Sequence, residues 1–293
     1  MMQTAILLAL AAAALYGASD FLGGLLSRRM HYALVGLIGQ CAAAIGGVSA
    51  AVALGPRPNV TAIGWGIGAG LGAAVGTLAL YRGLSRGRMS VAGPLSAVGA
   101  AGLPIPIDLL SGGRFTTLAA LGVGLAIPGI WLVAAQPGKR GGGVAEGLLA
   151  GVGFAALFVC LNRAGETAGL WPVAASQLSS VVVLVVFALA GRRAATAASH
   201  ATDAAQIVDA AQIAGKARSA WTALWPGVLG VSATILYTLS THQASLGISA
   251  VITSLYPAFT VALAAVVLRE RTSLAHVIGL LLCAASVGAF AVG

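Results

Sequence analysis

PGKRGGG, at residues 137–143, sets a proline, glycines and two adjacent basic residues between long apolar runs. That composition is a loop. On either side the chain is persistently greasy: it is 59% hydrophobic and 8% charged, with a mean hydropathy of +0.97. Water-soluble domains do not have this balance, and the chain reads as a membrane protein.

A spanning helix needs about 20 apolar residues to cross a hydrocarbon core of about 30 Å. Working outward from the loop, windows of that length run near 115–136, 90–111, 61–83, 32–54 and 3–26 on one side. On the other side they run near 144–164, 170–190, 221–243, 247–268 and 273–292. The short alternating strands of a β-barrel are absent, and helices are the other structure that satisfies its backbone in lipid. The expected fold class is therefore all-α, an integral membrane protein of ten transmembrane helices. The first window lacks a basic n-region and is longer than a signal-peptide core, so it is expected to remain as the first helix.

The expected organisation is a first five-helix repeat over 1–136, a linker over 137–143 and a second five-helix repeat over 144–293. Because five is odd, the second repeat enters the membrane with opposite polarity, the inverted arrangement of alternating-access transporters. Aligned at an offset of 156, Leu80-Tyr81 falls on Leu236-Tyr237, Thr116 on Thr272 and Leu118-Ala119 on Leu274-Ala275. Pro104 and Pro106 are expected to break the fourth helix, and Pro257 the ninth. Residues 191–219 read either as a surface helix or as a solvated linker.

The net charge of +9 and pI near 10.3 orient a membrane protein rather than implying a nucleic-acid partner. Loops after odd-numbered helices hold 13 of the 16 basic residues; Arg57, Arg114 and Arg163 lie on the other side. The positive-inside rule then places the odd-numbered loops in the cytoplasm and both termini outside. Cys41, Cys160 and Cys283 stand alone in separate segments and read as small core residues. Neither a metal site nor a cofactor is expected.

SLYPAFTVALAAVVLRERTSLAHVIGLLLCAASVGAFAVG, Ser254 to Gly293, carries a mid-helix proline (Pro257), a terminal Glu270-Arg271 and a glycine in the last helix (Gly279). With YGASDFLGG in the first helix, it resembles the ten-helix EamA branch of the drug/metabolite transporter superfamily. The resemblance implies two five-helix halves and transport of small solutes. It also implies both termini in the cytoplasm, opposite to the charge distribution. Gly112-Gly113-Arg114 stands where the family often has Gly-Glu-Arg.

Asp20, in LYGASDFLGGLL (residues 15–26), is too deep for a short carboxylate to reach water. An Asp at the centre of a spanning helix costs about 2.5–3.5 kcal/mol, so it should face a cavity or a partner. It reads as a proton- or cation-coupling group, or as a structural acid paired with an Arg or capping a helix broken at Gly23-Gly24. At an offset of 141 the second repeat has Leu161 there, so charge breaks the symmetry. Tyr16, one turn away, and Ser19 are its natural companions.

Gln40 and Gln177 bring amide donors and acceptors to apolar walls and read as ligand contacts or as interhelical glue. Tyr81 and Tyr237 correspond between the halves and are expected at the rims of a shared cavity. Trp65, Trp131, Trp171, Trp221 and Trp225 read mostly as belt anchors, with Trp65 and Trp131 deep enough for one of them to stack on a ligand. His242 reads as a second titrating group or an interfacial residue. Asp108 reads as a surface ion pair near Arg114 or a helix-end group.

The function expected is secondary transport of small organic solutes, such as amino acids, metabolites or drug-like compounds. The expectation is export by alternating access with proton coupling, across a bacterial inner membrane. The partners are the solute and the bilayer, with the chain a monomer or homodimer. An uncoupled sugar or metabolite facilitator or exchanger is the alternative. A lipid-modifying membrane enzyme is more remote, because the seven acids and four histidines are scattered.

Overall fold

In a computed structural model, residues 2–27, 30, 32–54, 58–85, 89–112, 116–134, 144–198, 221–267 and 273–292 are described. Among these residues every regular element is an α-helix. The first six are α1 (Met2–Ser27), α2 (Tyr32–Leu54), α3 (Val60–Ser85), α4 (Met89–Gly102), α5 (Pro104–Leu110) and α6 (Thr117–Ala134). They are followed by α7 (Val144–Arg163), α8 (Trp171–Ala198), α9 (Leu224–Thr241), α10 (Leu246–Thr253), α11 (Tyr256–Val267) and α12 (Leu274–Val292). Seven stretches among the described residues are long and apolar enough to cross a membrane: α1, α2, α3, α7, α8, α9 and the α10–α11 run. This is the make-up of an all-α, multi-pass membrane protein.

Side-chain size is sorted as lipid demands. The buried core is dominated by alanines such as Ala9, Ala12, Ala13, Ala69, Ala100 and Ala233, while Leu7, Ile45, Val60, Val182 and Val266 point outward. Hydrocarbon is as good a solvent for leucine as a protein core is, so helices associate by close packing and need small residues where they touch. A Cβ on Gly153 of α7 would lie 2.6 Å from the Gly72 carbonyl oxygen and the Gly76 nitrogen of α3. One on Gly227 of α9 would collide with the Gly39 carbonyl of α2.

The main packing partners are α3 with α7 and α8, α9 with α1 and α2, α4 with α7, α11 with α1, α2 with α8, and α6 with α12. Two runs are interrupted where prolines stand. Pro104 occupies the first position of α5, where its missing N–H costs least, and Pro257 lies in the first turn of α11. α8 continues to Ala198, beyond the end expected near 190. The 137–143 linker, Gly113-Arg114, residues 199–219 and Glu270-Arg271 lie outside the described residues.

Candidate functional site

Asp20 lies seven residues before the end of α1 (Met2–Ser27), which at 1.5 Å per residue is about 10 Å along the axis. It faces a cavity of about 100 Å³. The wall comes from seven helices: α1, α2, α3, α7, α8, α9 and the start of α11. On α1 the positions Tyr16, Ser19 and Asp20 recur at helical spacing and turn one face inward.

Part of the polar lining is committed to holding the wall together. Thr234 Oγ1 donates to the Gly230 carbonyl at 2.8 Å, which uses its only hydrogen. The 2.8 Å bond between Thr234 and Tyr16 is therefore donated by the Tyr16 hydroxyl. Ser19 Oγ donates to the Pro226 carbonyl at 2.8 Å, a second tie between α1 and α9. Tyr256 shares a 3.1 Å hydrogen bond with Ser96 of α4.

The rest of the polar lining is uncommitted. Among the described residues, Asp20, Gln40, Thr77, Tyr81 and Gln177 line the cavity without a hydrogen-bond or ion-pair partner. Gln177 is 6% exposed and Tyr81 7%, so these groups address the cavity rather than bulk solvent. Tyr81 lies across α1 at Gly23, where any Cβ would collide with its hydroxyl. The backbone at Gly23 is thus stripped to admit the phenol one turn beyond Asp20.

Six residues singled out from the sequence meet here: Tyr16, Ser19, Asp20, Gln40, Tyr81 and Gln177. Three others lie elsewhere. Tyr237 is completely buried behind the wall, stacked on Phe158 at 4.4 Å between ring centroids, and donates to the Phe158 carbonyl at 3.0 Å. Trp65 is 41% exposed on the outer side of α3, where a large ring packs in lipid at no cost to helix contacts. His242 caps the C-terminus of α9, with Nε2 unpartnered among the described residues. Burial lowers its pKa, and the charge of Glu166 works in the opposite direction.

Thr77, Phe158, Thr234 and Tyr256 also line the cavity and were not anticipated. One of them carried a signal, since Thr77 is four residues before Tyr81, on the same helical face. Tyr256 is turned inward by the interruption before α11. Asp108 takes a helix-end role: its Oδ2 accepts the Gly247 N–H at 2.9 Å in the first turn of α10. A carboxylate there complements the positive end of the helix dipole.

No protein-family model matches the chain, and no curated protein matches it. Solved structures share its fold. One of them, described only as "Crystal structure of protein", superposes with a TM-score of 0.64 at 17% sequence identity, covering 98% of this chain and 96% of that one.

Proposed function

We propose that the protein is a secondary transporter of small organic solutes, an exporter of a bacterial inner membrane in the drug/metabolite transporter superfamily. The observation that carries the reading is a carboxylate, Asp20, unpaired among the described residues and facing a cavity built from both halves of the chain. Tyr16, Gln40 and Tyr81 come from the first half and Phe158, Gln177 and Thr234 from the second. A solute at such a junction is exposed to one side or the other as the halves rock.

The packing scheme supports two equivalent halves. On this reading the shorter apolar helices α4–α5, α6 and α12 cross as well as the seven long stretches, with α4–α5 and α10–α11 each one bent crossing, ten in all. Exchanging the first five with the last five turns α3 against α7 into α9 against α1, α3 against α8 into α9 against α2, and α4 against α7 into α11 against α1. The pairs α2 with α8 and α6 with α12 map onto themselves. Such exchange is what a two-fold repeat produces, and an odd number of crossings per half inverts the second.

In this mechanism Asp20 alternates between a neutral, protonated form and an ionised form that needs a cation beside it. An ion buried without a partner costs several kcal/mol, so the empty, unprotonated carrier resists reorientation. Proton and solute movement are thereby coupled. The test is uptake of labelled amines, amino acids and sugars into proteoliposomes under an imposed pH gradient. Gradient-driven accumulation of any of them, abolished in Asp20→Asn, supports the proposal. No flux of any solute in either direction would refute it.

A further inference from the structure

Resting on that transport reading, we infer that the cavity selects a small alkylammonium ion that bears no carboxylate. Among the described residues Asp20 is the only charged group in the lining, and no lysine, arginine or histidine joins it. When Asp20 is ionised, an occupant that leaves the site neutral must carry one positive charge. A zwitterion would bring a carboxylate into a wall whose described residues offer it no cation, next to the charge of Asp20 itself.

The rest of the lining fits the same class. Tyr16, Tyr81, Phe154, Phe158 and Tyr256 supply aromatic surface, whose ring faces attract an ammonium group and accommodate its alkyl body. The uncommitted oxygens of Gln40, Thr77, Tyr81 and Gln177 can accept the N–H hydrogens that Asp20 leaves over. The neutral committed groups, Ser19 and Thr234, hold the wall and offer no charge. At about 100 Å³ the space is well below the roughly 300–1,000 Å³ of pockets for drug-sized ligands. The occupant is accordingly small.

Three probes of similar size separate the possibilities: butylammonium (cation), pentan-1-ol (neutral) and 4-aminobutyrate (zwitterion). Binding is measured calorimetrically on the full chain in detergent. The expected result is butylammonium binding at least tenfold tighter than the other two. Asp20→Asn should lose at least tenfold in butylammonium affinity, and Asp20→Glu should retain it. Equal binding of pentan-1-ol or 4-aminobutyrate, no binding of butylammonium by folded native protein, or undiminished binding by Asp20→Asn each overturns the inference. If Asp20→Asn does not elute as a monodisperse species, the ranking of the three probes on native protein decides. Counterflow in proteoliposomes separates the two claims. Butylammonium binding without any flux refutes transport and leaves the cation site standing. Flux of neutral or anionic solutes without ammonium binding refutes the cation site and leaves transport standing.

Discussion

Tyr16 donates its phenolic hydrogen to Thr234 Oγ1 across 2.8 Å, joining α1 to α9 one turn from Asp20. Tyr16→Phe removes the donor but leaves Thr234 bonded to Gly230. The expected cost is about 0.5–1.5 kcal/mol, read as a lower melting temperature in detergent. Transport should slow because the face that carries Asp20 is held less firmly against α9. An unchanged melting temperature would contradict the assigned bond.

Gly23→Ala places a methyl group where the Tyr81 hydroxyl sits. The obstacle is the far end of a side chain, so the fold should survive while Tyr81 shifts. The expected outcome is a monodisperse protein whose solute affinity changes several-fold. Apparent KM in proteoliposomes reads this, and Tyr81→Phe should differ from it by leaving the ring in place.

Close helix crossings set a sharper contrast. Gly227→Ala meets the backbone of Gly39, whereas Gly64→Ala on α3 meets nothing within 4 Å. Overpacking against backbone costs about 1–3 kcal/mol, so the yield of folded Gly227→Ala should fall. Gly64→Ala gains up to about 1 kcal/mol of helix propensity and should express at least as well as the native protein. Size-exclusion chromatography of both variants checks the pair.

His242 titrates where the α9 helix ends. Burial lowers its folded pKa, so the unfolded chain binds the proton more tightly and folded stability falls as pH drops through about 6.5, the unfolded value. His242→Gln should flatten that part of a melting-temperature profile against pH. A profile identical to the native one would remove His242 as its cause.

Much of the helix layout was legible because lipid imposes a length. The expected window 32–54 coincides with α2 (Tyr32–Leu54), and 144–164 with α7 (Val144–Arg163). The expected window 170–190 matches the apolar stretch Trp171–Ala190 of α8, and the helix continues to Ala198 because a charge such as Arg192 ends an apolar window without ending a helix. Asp20 was legible for a similar reason: a carboxyl in an apolar run has to meet a cavity or a partner. Helix facing was not legible. In segments apolar on every side, size rather than polarity decides what turns inward. Trp65 therefore faces outward, while Tyr256, beside the helix interruption expected at Pro257, lines the cavity.

The most direct measurement is the internal pH of proteoliposomes as single solutes are added outside, comparing the native protein with Asp20→Asn. At least one small solute should drive proton movement through the native protein and none through the variant. Solute movement through Asp20→Asn at the native rate, or solute flux in the native protein with no pH change, would contradict a coupling role for Asp20.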